Sequence, residues 1–140
     1  MSNKTYTVPI LRTNTLDVPA DRPMVGLSVN VYRSANYVVV DAGLPRCRPE
    51  SIRVTLAPDQ LLIEAERHPG EAIVEEEREY LMRELPYGAI GRVIPLPAVE
   101  LALHSAEAHF ENGLLTVTIP TPERDAYRHH FRGEEVPEED

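Results

Sequence analysis

The chain has 140 residues, 42% of them hydrophobic, and a formal net charge of -9; this suits one domain with a real core and excludes a phosphate-tracking surface, which needs clustered Lys and Arg. Thirteen prolines against seven glycines favour many strand ends over long helix. Cys47 is the only cysteine, so no internal disulfide can form and a reducing, cytoplasmic setting is expected, with neither a signal core at the N-terminus nor the roughly 18 apolar residues of a membrane span.

Residues 1–25 mix polar and apolar residues with Pro9, Asn14, Pro19 and Pro23 and hold no sustained period, so they read as a flexible extended arm. From Leu27 the pattern changes. Leu27, Val29 and Val31 alternate with Ser28, Asn30 and Tyr32, and "NYVVVDAGL" follows as a second, continuous β-rich run. "LPRCRPES" interrupts with two prolines; Ile52, Val54 and Leu56 then alternate with Arg53 and Thr55, and Ala57-Pro58-Asp59 turns the chain into "QLLIEAER". This predicts a second antiparallel pair. "HPGEAIVEEEREY" is too polar for a core strand and reads as an acidic, exposed excursion carrying Ile73 and Val74. "YLMRELPYGAIGRVIPLP" resumes β character and is expected to stop near Ile94, because prolines flank Leu96.

"HFENGLLTVTIP" is the firmest local signal. An Asn-Gly loop favours a type I′ hairpin, which sets Glu111 opposite Leu114, Phe110 opposite Leu115, Ala108 opposite Val117 and Ala106 opposite Ile119, leaving His109 opposite Thr116 and Glu107 opposite Thr118 on the polar face. Leu114 is the apolar exception on that face. Beyond Pro122 the chain is charged and ends in "GEEVPEED", a tail with too little apolar surface to offset its ordering entropy. The pattern as a whole predicts an all-β, immunoglobulin-like antiparallel β-sandwich over residues 26–123, about 90 to 100 residues, between an arm (1–25) and a disordered tail (124–140).

No enzyme site is legible. His129-His130, His104, His109 and His68 lack metal-ligand spacing, and Ser105 beside His104 has no orienting acid. The chain holds no Gly-rich phosphate loop, nucleophile elbow or zinc helix, so neither ATP hydrolysis nor a cofactor is expected.

Taken together, these residues resemble the small heat-shock protein family, whose shared unit is the α-crystallin domain. "AEAHFENGLLTVTIPTPE" is similar to the family's hairpin signature, "RELPYGAIGRVIPLP" to its arginine-glutamate, glycine, arginine and leucine-proline stretch, and "VNVYRSANYVVVDAGLP" to its opening strands; the likeness spans about Val25 to Glu123. Three departures stand out. Pro45-Arg46 replaces the usual proline-glycine, Ile90 replaces phenylalanine, and the tail lacks the isoleucine-X-isoleucine peptide that docks neighbouring dimers, since Val136 is followed two residues later by Glu138.

The resemblance implies an ATP-independent holdase that binds partly unfolded clients, with no nucleic-acid or membrane partner. Val8, Ile10, Leu11, Leu16 and Val18 are the candidate client-binding residues of the arm. Val8-Pro9-Ile10 has the missing peptide's spacing, and in an extended segment its two apolar side chains share one face. Its expected seat is a groove between the Ile52–Ala57 and Ala106–Phe110 strands, with Ile52, Val54, Leu56, Ala108, Phe110 and Leu114 as candidate lining. For self-association as a dimer or small oligomer, the resemblance points to Ile73, Val74, Glu75, Glu76, Glu77, Arg83 and Arg92, with Arg92 able to fork onto a carboxylate of the partner's loop. The alternative is a cochaperone-like sandwich that binds one dedicated protein; the long excursion from His68 to Tyr80 favours the dimerising holdase.

Overall fold

In the computed structural model, residues 4–18, 26–70 and 77–122 are described. Among them nine strands form two sheets: β1 (Tyr6–Val8), β2 (Ile10–Arg12), β3 (Val29–Arg33), β4 (Tyr37–Gly43), β5 (Arg53–Leu56), β6 (Gln60–Arg67), β7 (Gly88–Pro95), β8 (Glu107–Glu111) and β9 (Leu114–Pro120). One sheet runs β1-β8-β9-β4-β3 and the other β2-β5-β6-β7. Pairing is antiparallel except between β2 and β5.

The β8–β9 hairpin shows how the sequence sets the register. Asn112 and Gly113 adopt φ of 56° and 77°, the left-handed pair that lets a two-residue turn follow strand twist. Phe110 therefore pairs with Leu115 and Ala108 with Val117, while His109 faces Thr116. Period-two alternation then sends Ala108, Phe110, Leu115, Val117 and Ile119 into the core, where they meet Val38 and Val40 of β4, Leu61 and Ile63 of β6, and Ile90 and Ile94 of β7. β4 reads as a continuous apolar run because Val39, on its outer face, is buried as well.

The arm reads as a flexible segment with a groove seat expected for Val8-Pro9-Ile10, and the structure makes paired strands of the residues around that seat. Tyr6–Arg12 supplies one short strand to each sheet, with β1 on β8 and β2 on β5. Its strands are three residues each, too short to display a period, so the pairing was invisible in the pattern.

Arg67 is a charged residue that core patterning does not anticipate. It is 2% exposed, and its guanidinium donates from Nε to Pro45 O at 3.0 Å and from Nη1 to Pro86 O at 3.3 Å. A buried charge needs such acceptors, and here they tie the end of β6 to both flanking proline loops. Cys47 bridges to Arg67 through the backbone. Burial pushes the Cys47 thiol above its ordinary value, against a smaller opposing pull from Arg67, which leaves it a poor nucleophile. The nearby Arg46 has φ of 62°, so the position where the family carries glycine imposes a left-handed backbone rather than a packing constraint.

Arg67→Met should fold but lose about 1 to 3 kcal/mol, because two part-buried carbonyls lose their donor. Urea denaturation followed by circular dichroism checks this, and an unchanged midpoint would remove Arg67 from the account.

Candidate functional site

The open side of the sandwich lies between the β5 edge of one sheet and the β8 edge of the other. Val54 and Leu56 from β5, Ile52 just before it, and Ala108 and Phe110 from β8 are all buried there. The arm fills this gap. Tyr6, Thr7 and Val8 run antiparallel to Phe110, His109 and Ala108. Pro9, which has no N–H to donate, carries the chain across. Ile10, Leu11 and Arg12 then run parallel to Val54, Thr55 and Leu56, and Thr13 N donates to Leu56 O at 2.9 Å.

Val8 is 3% exposed within the main core cluster, and Ile10 packs against that cluster half-buried. The two inward side chains are those whose spacing in an extended segment puts them on one face. Leu11 points the other way and is exposed. Arg12 extends the inward series with a charge, donating from Nε to Leu103 O at 2.8 Å and from Nη2 to Ala106 O at 2.9 Å and His104 O at 3.4 Å. These carbonyls belong to the 3-10 turn Leu103–Ser105 and to the residue that follows it. At the other end of the arm, Thr5 Oγ1 donates to Glu111 Oε1 at 3.0 Å.

The opposite side of the molecule presents a second edge. β3 is the outermost strand of its sheet, and its Val31 and Tyr32 are exposed. In the segment leading into β7, Leu81 and Met82 are 92% and 78% exposed. Arg83 lies over the rings of Tyr80 and Tyr87 at 4.6 and 5.5 Å, a stacking that orders this segment without covering its apolar side chains. Arg92, opposite Ile63 on β7, donates from Nη1 to Leu27 O at 3.1 Å.

The match of a family model now becomes decisive: that of the Hsp20/alpha crystallin family covers residues 30–132. This chain belongs to that family. Heat shock protein 16 of Schizosaccharomyces pombe is 32% identical over 102 residues, covering 69% of this chain and 67% of the relative. Among solved structures, heat shock protein 16.0 from the same yeast has a TM-score of 0.58 at 30% identity over 69% of this chain and 87% of its own. The hspA of Xanthomonas axonopodis has a TM-score of 0.57 at 30% identity over 68% and 92%. Small heat-shock proteins are non-enzymatic chaperones that bind unfolded proteins and self-associate. Among the described residues no helix is long and apolar enough to cross a membrane, and no three His, Cys, Asp or Glu side chains converge as metal ligands.

In this small heat-shock protein the candidate residues fall into three groups. The structure brings Val8 and Ile10 together with Ile52, Val54, Leu56, Ala108 and Phe110. Leu114 does not belong with them: it pairs with Glu111 and Gly43 on the outer face, 44% exposed, because strand parity sends Leu115 inward and its neighbour outward. Leu16 is half-buried and Val18 exposed, beyond the paired part of the arm. Glu77 and Arg83 are exposed, whereas Ile73, Val74, Glu75, Glu76 and the tail lie outside the described residues. Arg12 was missed: a cation between leucine and threonine in a polar arm carries no signal of main-chain partners, though its place four residues after Val8 puts it on the same face.

Val8→Asp with Ile10→Asp would set carboxylates against a buried apolar wall, so the arm should leave its strands. Amide hydrogen exchange at Thr7, Leu11 and the β8 edge should speed up by at least about tenfold, while β4 and β9 stay protected. Unchanged exchange at Thr7 and Leu11 would mean that the pairing is not populated in solution.

Proposed function

We propose that this small heat-shock protein is an ATP-independent holdase whose N-terminal arm is a detachable cover. The observation that carries the reading is that one apolar segment completes both sheets through strands of three residues each. Burying Val8 fully and Ile10 in part contributes about 2 to 5 kcal/mol, whereas fixing backbone costs roughly 1 to 2 kcal/mol per residue. Burial alone therefore does not hold the segment; strand hydrogen bonds and Arg12 supply the remainder. A cover held by so narrow a margin opens readily.

Opening displays Val8, Ile10, Leu11, Leu16 and Val18 and uncovers Ile52, Val54, Leu56, Ala108 and Phe110. Such contacts demand apolar surface rather than hydrogen-bond readout, so capture of partly unfolded proteins is broad. The net charge of -9 keeps loaded complexes dispersed. In light-scattering assays without ATP, an equimolar amount of the protein should suppress aggregation of a heat-labile client, and the Val8→Asp, Ile10→Asp variant should alter that protection. Unaffected aggregation would favour a dedicated adaptor instead.

Self-association follows the second edge in this reading. The excursion between β6 and β7 pairs with the β3 edge of a second copy, bringing Ile73, Val74, Leu81 and Met82 against Val31 and Tyr32. Arg83 and Arg92 then face Glu75, Glu76 or Glu77 across the dimer. Strand addition also protects an edge that would otherwise invite aggregation. Arg92→Ala should weaken the dimer by about tenfold or more, since truncating one partner of a desolvated pair leaves the other charge unpaired. Sedimentation equilibrium reads this, and a variant with the parent's dimer constant and melting temperature would remove the pair from the interface.

A further inference from the structure

The groove recognises more than two apolar side chains. Pairing of Ile10, Leu11 and Arg12 with Val54, Thr55 and Leu56 places Val8, Ile10 and Arg12 on one face of the segment. Arg12 then meets carbonyl oxygens: Leu103 at 2.8 Å, Ala106 at 2.9 Å, His104 at 3.4 Å, and its own segment's Ile10 at 3.1 Å. Three of these acceptors belong to one turn, Leu103–Ser105 and the residue that follows it. Carbonyl oxygens carry partial negative charge, and a guanidinium is the side chain whose fork reaches several of them at once.

We propose that these oxygens form a cation-selective third position of the groove, so that the clients it accepts are extended segments of the pattern apolar–X–apolar–X–Arg. The inference rests on the holdase reading, in which the arm leaves and an unfolded segment takes its place. The arm itself is the occupant seen in the structure: Val8 is buried, Ile10 is half-buried, and Arg12 lies on the rim. A segment with Lys at the last position keeps the charge but loses the fork. One with Glu there sets acceptors against acceptors, which the geometry rejects. The third position thus gives sign selectivity to a groove whose other two contacts discriminate only by apolar size.

Binding of fluorescein-labelled TYTVPILRTN (residues 5–14) to the full-length protein tests this by anisotropy. Replacing the peptide's arginine leaves the protein's folding untouched. The Arg12→Ala peptide should bind about three- to tenfold more weakly, the lysine peptide should fall between them, and the Arg12→Glu peptide should be weakest, in keeping with charge-assisted hydrogen bonds discounted for a solvent-facing rim. The parent peptide should also bind more tightly to full-length Arg12→Ala protein than to the parent protein, because the resident arm then competes less well. Equal affinity of the Arg and Glu peptides, or no peptide binding to either protein, overturns the proposal. So does a fall in oligomer mass on adding the parent peptide, which would make a second copy's arm, not a client, the partner. Loss of client protection with the charge ranking intact would sink the holdase reading alone; a flat ranking with protection intact would sink this one alone.

Discussion

Closure of the gap between the β5 and β8 edges is the constraint on which the rest of the structure depends. Two sheets packed face to face cover each other's inner surfaces, but their adjacent edges leave Val54, Leu56, Ala108 and Phe110 open to water unless something spans both. One segment does so. It is antiparallel to one sheet and parallel to the other, with Pro9 at the crossing where a main-chain donor has no ladder to join. The geometry makes an edge of the sandwich into a groove that the chain's own arm fills.

The two long sides are handled differently, and the difference divides the functional surfaces. On the β5 and β8 side the exposed edges are closed from within the chain. On the β3 side the edge stands open beside Val31 and Tyr32, while Leu81 and Met82 project from a segment ordered by Arg83 over two tyrosine rings. An edge closed by three-residue strands suits reversible contact, whereas an open edge, as in the proposed dimer, suits a lasting one. Arg67 holds these regions in register from within, since its acceptors Pro45 O and Pro86 O belong to the loop after β4 and the loop before β7.

Legibility in the sequence followed the range of the interaction. The β8–β9 hairpin was readable residue by residue because Asn112-Gly113 is a local device that dictates register without help from elsewhere. Strands β3 to β7 were readable from period and prolines, with β7 ending at Pro95, one residue past the expected Ile94. Val8 and Ile10 were readable as a pair but not as strands, since the residues they pair with, Ala108 and Val54, lie far away in sequence and three residues show no period. Arg12 and Arg67 were illegible because their partners are main-chain oxygens, which every residue carries. Leu114 was misplaced for a different reason: hairpin parity already sends it outward, and its apolar character does not outweigh that.

The same feature that makes the arm a good cover limits how tightly any client can bind. A tethered segment acts at an effective concentration in the millimolar range when its linker is short and flexible, so a free segment with identical contacts binds the full-length protein measurably but more weakly than its contacts alone would give. In the proposed holdase, a client would gain access through additional contacts, to the exposed Leu11 and Leu114 or to several copies at once. Strand pairing of three residues per sheet is well suited to opening, because its few hydrogen bonds are lost together while the three-stranded body of β5, β6 and β7 with its partner sheet keeps its core. Under the proposed holdase reading, capture is governed by competition with the protein's own arm, and the charge at position 12 is a place where that competition is tuned without disturbing the core.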